Sequence, residues 1–241
     1  MSNDLQDSFA YNGLTASVPG LPAAWYFDPV QHAREMATLW RNNWLYVARS
    51  EGFSKPGAFR TLTIGDQNYL VVRGRSGSLH GFHNTCRHRG SLLCEAVEGQ
   101  LGTSGRIVCP YHQWTYDAED GGLLRTSSFV EPEGFDKSLY GLFQVAIVEW
   151  RGCVFLHPDF DTPWDANNVF QRPADNFANF PLETMVVGHT WHTEMSCNWK
   201  TFWENFNECL HCPAVHPELT DLVPLYGWRI IHPRDVPDWT D

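Results

Sequence analysis

The sequence predicts an α+β protein in which an antiparallel β domain over residues 44–158 is followed by a mixed helix-and-sheet region over residues 159–241. Three observations predict this class. About nine short β-rich segments lie between residues 45 and 156, each bounded by turn residues. Helical periodicity flanks this block on both sides. No stretch reaches the roughly 18 apolar residues that a membrane-spanning helix needs.

Residues 1–43 are expected to form an N-terminal arm and a helix. Asp28 is suited to cap that helix, with Pro29 at the first helical position and Gln31 at the third. Apolar side chains at helical spacing predict a face that packs on a core, up to about residue 42. These side chains are Val30, Ala33, Ala37 and Trp40.

Turn signals divide the β block into hairpins. Gly65-Asp66 and the run from Arg75 to Gly77 are typical of tight turns between paired strands. This spacing predicts a small antiparallel sandwich or barrel. Beyond the block, residues 184–196 are expected to form a strand, and residues 198–211 a helix.

Composition and charge exclude several function classes. The formal net charge is −11, which makes nucleic acid and anionic membrane surfaces poor partners. The seven cysteines are an odd number without regular spacing, which argues against a disulfide framework. The first residues lack the basic and apolar regions of a signal peptide. We therefore expect a cytoplasmic protein with no membrane segment.

Two short Cys-His pairs form the first candidate metal site. Cys86 and His88 lie two residues apart, and Cys109 and His112 three residues apart. A zinc finger usually pairs like ligands, whereas each pair here holds one thiol and one imidazole. That mixed pairing suits a [2Fe-2S] cluster with one iron bound by two thiolates and the other by two imidazoles. A structural zinc site is the alternative.

The predicted helix over residues 198–211 carries the second constellation. Glu204, Glu208 and His211 are spaced to share one helical face, opposite a strongly aromatic face. His216 follows His211 by five residues, so it reaches the same site only if the chain bends at Pro213. Taken alone, a histidine pair of this kind is a weak signal for a metal site.

Together the two constellations resemble the Rieske-type non-haem iron oxygenases. C-R-H-R-G and C-P-Y-H-Q-W are similar to the ligand loops of a Rieske domain, and N-W-K-x3-E-N-x2-E-C-x-H-x4-H is similar to the mononuclear iron motif. Respiratory-chain Rieske subunits carry an extra disulfide at positions that here hold Ser91 and Tyr111. The resemblance is therefore to the catalytic (alpha) subunits of the soluble oxygenase branch, whose second domain is helix-grip-like.

The resemblance implies roles for individual residues. Cys86, His88, Cys109 and His112 would hold the [2Fe-2S] cluster. The residues implied at the mononuclear Fe(II) are two ligands and one bridging carboxylate: His211, His216 and Glu208. Glu208 would link His211 to a cluster histidine, His112, of a neighbouring subunit, as in the homotrimers of the family.

The implied reaction uses O2, a small organic substrate and NAD(P)H-derived electrons that arrive through a reductase or ferredoxin. Glu208 and the run E-C-L-H-C-P resemble family members that act on small quaternary amines such as betaines. That resemblance implies hydroxylation or N- or O-demethylation of such an amine, and arene dihydroxylation stands close behind. The family's third iron ligand is a carboxylate further downstream, and none of the four acids available here has a matching context: Glu218, Asp221, Asp235 and Asp238. An electron-transfer protein with an incomplete catalytic domain is therefore the alternative.

Overall fold

The computed structural model describes residues 19–102, 104–127, 130–171, 174–208 and 210–227. It divides into two compact units. One is continuous and runs from Ala33 to Trp191. The other combines the described residues up to His32 with those from His192 onward.

The continuous unit is built from antiparallel strands, as the sequence predicts. The strands are β1 Leu45–Arg49, β2 Ala58–Ile64, β3 Gln67–Arg73, β4 Leu79–His83, β5 Glu98–Gln100, β6 Arg106–Val108, β7 Thr115–Asp117, β8 Leu123–Arg125, β9 Gln144–Trp150 and β10 Cys153–His157. A seven-stranded sheet has the order β1-β10-β9-β4-β3-β2-β5, and a three-stranded sheet has the order β6-β7-β8.

The predicted hairpin turns are present. Ile64 pairs with Gln67, so Gly65 and Asp66 alone connect β2 to β3. Gly65 has φ +61°, a left-handed conformation that costs glycine little and a side-chain-bearing residue more. The next hairpin joins β3 to β4 with Arg73 opposite Leu79.

Strand β3 explains how two cores form in this unit. Leu70 and Val72 point into one buried cluster, which also contains Cys86 and Cys109. Val71, between them, points into a second cluster on the opposite face. Alternate residues of a strand face opposite sides, so a continuous apolar run is buried on both faces. The first cluster places both candidate ligand thiols inside the core.

The N-terminal helix differs from the sequence prediction in what it buries. Asp28 caps it, since its Oδ1 accepts the Val30 N–H at 2.9 Å, and the helix spans Pro29–Glu35. A π-helical turn follows over Met36–Trp40. The predicted apolar face is largely exposed, with Val30 at 75%, while Glu35 is buried. The π turn changes the residue spacing from Met36 onward, so Ala37 and Trp40 leave the stripe calculated for a regular α-helix. Val30 and Ala33 are exposed within the regular helix itself.

Residues 158–196 contain one short helix and lack the strand predicted for their second half. The helix forms at Ala166–Phe170, and Asp165 caps it by accepting the Asn167 N–H. The strand predicted over residues 184–196 was wrong, because the described chain there has only the 3-10 turn Leu182–Thr184 followed by irregular backbone. A strand needs a neighbouring strand to satisfy its backbone groups, and none pairs with this stretch within the described residues.

The second unit is helical within the described residues. A 3-10 turn spans Ala23–Tyr26, and later helices span Trp199–Phe206, Cys212–Val215, Pro217–Leu222 and Pro224–Gly227. The helix predicted over residues 198–211 therefore ends earlier than expected, at Phe206. Glu208 accepts the Leu210 N–H, so its side chain offers the backbone a partner that competes with helix continuation. No helix in the described part of the chain is long and apolar enough to cross a membrane.

Candidate metal centres

The two loops that carry the Cys-His pairs share one hydrogen-bond pattern. Gly90 N donates to Cys86 O at 3.0 Å, and Cys86 N donates to Ser91 O at 2.8 Å. In the second loop Gln113 N donates to Cys109 O at 3.0 Å, and Cys109 N donates to Trp114 O at 2.8 Å.

The fourth residue after each cysteine has positive φ: +73° at Gly90 and +59° at Gln113. Each cysteine is thus the closing point of a tight backbone turn. The sequence spacing did not reveal this repetition, because the two histidines lie at different offsets from their cysteines.

The loops bring the four predicted ligands together. Cys86 and Cys109 are almost fully buried, at 3% and 1% exposure. The rings of His88 and His112 lie 4.9 Å apart between centroids, and both are half-buried. The arrangement is thus a buried thiol pair beside a partly exposed imidazole pair.

Electrostatics at the thiol pair favour a bound cation. Burial raises the pKa of the Cys86 thiol, and the neighbouring Cys109 thiol acts in the same direction. Hydrogen bonds from the Tyr116 hydroxyl and the His88 N–H oppose this shift. A thiolate here is costly without nearby positive charge, and ligation by a metal cation supplies that charge.

One ring nitrogen of the imidazole pair is buried without a hydrogen-bond partner, and a metal ion would satisfy it. His112 Nδ1 is buried and has no hydrogen-bond partner among the described residues. Burial lowers the pKa of His88, and the charges of His112 and Arg89 add to this effect. Neutral imidazole is the form that binds metals, and an orphaned buried ring nitrogen is an available ligand atom.

The donor set fits a two-iron cluster, with two thiols for one iron and two imidazoles for the other. In the described part of the chain, no three His, Cys, Asp or Glu side chains are arranged around a single ion. The fit to a cluster therefore depends on the thiol pair and the imidazole pair together, with one pair for each iron.

Tyr116 is a site residue that sequence reasoning missed. Its hydroxyl lies 3.2 Å from Cys86 Sγ and accepts the Arg87 N–H at 3.1 Å. Tyr116 is fully buried, and burial together with the bond to Cys86 raises its pKa. The sequence offered one signal. Tyr116 follows Trp114 by two residues, and alternate residues of an extended chain share a face, so the two side chains are expected on the same side.

The second unit places His211 and His216 side by side. Their ring centroids lie 5.3 Å apart with the planes at 77°. His211 directly precedes the Cys212–Val215 helix, and His216 joins that helix to Pro217–Leu222. The bend expected at Pro213 takes the form of a new short helix, in which Pro213 occupies the first turn.

Glu208 contacts the first of these histidines directly. Its Oε1 lies 2.5 Å from His211 Nδ1. Partial burial opposes ionisation, but the bonds with His211 and with the Leu210 N–H outweigh it and hold the pKa of Glu208 below its usual range. An ionised carboxylate on one ring nitrogen fixes the tautomer and leaves the other nitrogen free for a metal.

The other candidate carboxylates do not join this pair. Glu218 and Asp221 are exposed, and neither bonds to His211 or His216 within the residues the structure describes. Asp235 and Asp238 lie outside the described residues. Glu204 bonds instead to the Tyr26 hydroxyl. The second centre therefore consists of two imidazoles and one carboxylate held against one of them.

Comparison with known families matches both parts of the chain. The family described as Rieske [2Fe-2S] domain matches residues 43–131. The family described as ring hydroxylating alpha subunit (catalytic domain) matches residues 182–227. The chain belongs to the Rieske-type oxygenase alpha subunits. The [2Fe-2S] cluster and the mononuclear iron are the cofactors that these two domains imply.

Two curated relatives are similar to the chain over most of its length. The glycine betaine monooxygenase oxygenase subunit of Chromohalobacter salexigens is 36% identical, covering 92% of this chain and 48% of the relative. The chloroplastic choline monooxygenase of Beta vulgaris is 29% identical, covering 81% and 44%.

A solved structure of the quaternary ammonium Rieske monooxygenase CntA with L-carnitine has a TM-score of 0.73 at 26% identity, covering 84% of this chain and 56% of that one. The chain thus spans about half the length of the curated relatives it matches.

Proposed function

We propose that the whole protein is the oxygenase subunit of a Rieske monooxygenase that hydroxylates or demethylates a small quaternary amine. The observation that carries this proposal is the similarity over 92% of the chain to a glycine betaine monooxygenase subunit. Choline and carnitine monooxygenase subunits are also similar over more than four fifths of the chain. Substrates with a quaternary nitrogen recur among these relatives.

Within this protein we assign Cys86 and Cys109 to one cluster iron and His88 and His112 to the other. The buried thiol pair and the orphaned His112 Nδ1 support the assignment. When bound, the cluster supplies one-electron transfer and the mononuclear iron supplies oxygen activation. The residues of the chain exclude water from the thiols and orient the imidazoles.

We assign His211 and His216 to the mononuclear iron and Glu208 to positioning. The contact between Glu208 and His211 supports this assignment, because a carboxylate on Nδ1 directs Nε2 toward a metal. The third ligand is proposed to be a carboxylate elsewhere in the whole protein, which would complete two imidazoles and one carboxylate. The domain bounds are proposed as 44–158 and 159–241, supported by the ten described strands that lie between Leu45 and His157.

The proposed partners follow from electron balance. Inserting one oxygen atom of O2 into a C–H bond and reducing the other to water consumes two electrons and two protons. A reductase or ferredoxin would supply those electrons from NAD(P)H. We propose a homotrimer in which Glu208 faces His112 of the partner subunit, and a cytoplasmic location. The described cysteines are all free thiols, which supports a reducing compartment.

Two other functions are less well supported. An electron carrier has no use for a histidine pair with a positioned carboxylate, and residues 182–227 match a catalytic-domain family. Arene dihydroxylation gains no support from the similar naphthalene dioxygenase structure, because at 24% identity and a TM-score of 0.68 that likeness shows the fold alone.

Turnover by the whole protein with a reductase tests the proposal. Glycine betaine, choline, L-carnitine and naphthalene would be compared under O2-limited conditions. We expect O2 and NAD(P)H consumption to be coupled to product with one or more of the amines, with formaldehyde released where a methyl group is lost. A cis-diol from naphthalene, without coupled amine turnover, would contradict the substrate class.

A further inference from the structure

A polar pocket of about 470 Å³ lies beside the carboxyl end of β10 in the continuous unit. Three stretches line it: residues 42–44 just before β1, His157 at the end of β10, and residues 162–171 around the Ala166–Phe170 helix. Its volume is within the range usual for small-molecule sites. None of its described lining residues belongs to either ligand loop.

His157, which is only 4% exposed, presents one unpartnered donor to this pocket. The main-chain N–H of Asp159 donates to His157 Nδ1 at 3.0 Å, and the Asp159 carbonyl lies further away at 3.2 Å. Because an N–H can only donate, Nδ1 accepts and Nε2 carries the ring hydrogen. Nε2 has no partner among the described residues, and it is not one of the nitrogens sealed from solvent. Since the ring is otherwise buried and lines the pocket, this N–H opens into it.

Other side chains add acceptors of fixed orientation. The Asn43 amide donates to two main-chain carbonyls at 2.9 and 3.2 Å, which leaves its Oδ1 without a described partner. Asp165 accepts a main-chain N–H through Oδ1 at 3.0 Å, which leaves Oδ2. The Gln171 amide donates to the Asn168 carbonyl at 2.6 Å, which leaves its Oε1, and Asn168 Nδ2 adds a second donor. Donors and acceptors are therefore mixed around the pocket.

The charge of the lining disfavours an ionic ligand. No lysine or arginine is among the described lining residues, and cationic side chains are what usually hold phosphate or carboxylate groups. Quaternary ammonium groups are usually bound in cages of several aromatic rings. Here Trp44 supplies the one indole or phenyl ring in the described lining, with its centroid 5.6 Å from that of His157. A neutral ligand fits this lining better than either ion.

We propose that this pocket binds a small neutral polyol, such as a monosaccharide or a cyclitol. A hydroxyl both donates and accepts, so a ligand with several hydroxyls satisfies the mixed lining. His157 Nε2 donates to one ligand oxygen, Asn43 and Asp165 accept from its hydroxyls, and Trp44 packs on its C–H groups. This site does not depend on the proposed oxygenase function, because no residue assigned to iron lines it.

Saturation-transfer NMR and isothermal titration calorimetry on the whole protein test this site. The polyol probes are D-glucose, D-galactose, myo-inositol and trehalose, with choline and inorganic phosphate as the cationic and anionic probes. Asn168→Ala removes an exposed donor, and Asn167→Ala is its control on the same helix outside the lining. His157→Phe removes the buried donor and keeps a ring, and His189→Phe is its control at an exposed position.

We expect saturable binding of at least one polyol to the wild-type protein. His157→Phe and Asn168→Ala should each weaken it about tenfold, since each removes one hydrogen bond to the ligand. Asn167→Ala and His189→Phe should bind as the wild type does. Thermal unfolding of each variant shows whether it is folded, and if His157→Phe is not, the exposed pair at positions 167 and 168 decides.

No saturable binding of any of the four polyols to the wild-type protein would overturn the proposal. Equal weakening by Asn168→Ala and Asn167→Ala would also overturn it, because the ligand would then lie outside the pocket. Binding of choline or phosphate alone, lost in Asn168→Ala, would overturn the ligand class and assign the pocket to an ion.

Discussion

The Trp114 indole stacks on the His88 imidazole, with ring centroids 4.8 Å apart and the planes only 8° from parallel. Trp114 is itself buried and contacts Phe135 and Tyr140 edge-on. The imidazole is therefore held by an aromatic wall that begins in the other ligand loop. The orientation of His88, in the first ligand loop, therefore depends on the packing of Trp114, at the end of the second.

Trp114→Ala should destabilise the β domain and expose the cluster. We expect a loss of about 3–5 kcal/mol of unfolding free energy, since a large buried side chain is removed. Loss of cluster absorbance in the presence of an iron chelator should accelerate. Trp191→Ala is the matched control, because that indole is 77% exposed. Equal effects of the two substitutions would show that the stack has no special role.

Tyr116→Phe should lower the reduction potential of the cluster. The hydroxyl lies 3.2 Å from Cys86 Sγ, and a hydrogen bond to a ligand sulfur stabilises the more negative, reduced state. Loss of about 1 kcal/mol corresponds to roughly 40 mV for a one-electron couple. A spectroscopic redox titration measures this shift. Tyr140→Phe is the control, since its ring packs on Trp114, and a shift of similar size there would contradict the assignment.

Glu208→Ala should weaken iron binding at the second centre of the whole protein. The carboxylate holds His211 through Nδ1, and loss of such a partner costs about 10- to 100-fold in metal affinity. Competition with an iron chelator measures this affinity. Glu204→Ala removes a carboxylate four residues earlier that bonds to Tyr26 instead. If both substitutions weaken iron binding equally, Glu208 does not have the positioning role.

The β domain should lose stability in acid through a carboxylate network at the β3–β4 hairpin. Burial opposes the shift, but the Glu119 N–H and the Arg75 guanidinium hold the pKa of Asp117 below its usual range. Burial likewise opposes the shift at Glu119, but bonds from Ser76 and the charge of His80 hold its pKa low.

Because both folded-state pKa values are depressed, the stabilisation is fully present above the unfolded-state values near pH 4 and is lost as pH falls through the folded ones. Urea unfolding from pH 7 downward should therefore show a steeper acid decline in wild type than in D117N/E119Q. Asp161→Asn, at an exposed carboxylate outside this network, should keep the wild-type slope. A double variant with an unchanged slope would contradict the role of the network.

The sequence predicted the features that depend on local chemistry. Gly65-Asp66 defines a two-residue hairpin by itself, because few residues other than glycine tolerate positive φ. The Cys-His spacing likewise predicted that two loops share one site, and the structure brings their side chains together. Their role as metal ligands stays a prediction. The strands missed were β5 and β8, because three residues are too few to show a period. β6 and β7 are equally short, but they were predicted as the segments that lead into and out of the second ligand loop.

Features that depend on distant partners were not predictable from the sequence. Residues 184–196 alternate like a strand but have no strand to pair with in the described chain. The early end of the Trp199–Phe206 helix has a local cause instead, because the Glu208 side chain competes for the Leu210 N–H, and helical periodicity does not show that competition. The Tyr116 contact to Cys86 joins positions 30 residues apart, and only the fold brings them together.

Iron and acid-labile sulfide per chain, measured on protein purified without oxygen, test the central claim most directly. We expect about two sulfides, with two irons if the cluster alone forms and three if His211 and His216 also bind iron. Cys109→Ser should abolish the sulfide. Zinc without sulfide in the wild-type protein would contradict the account.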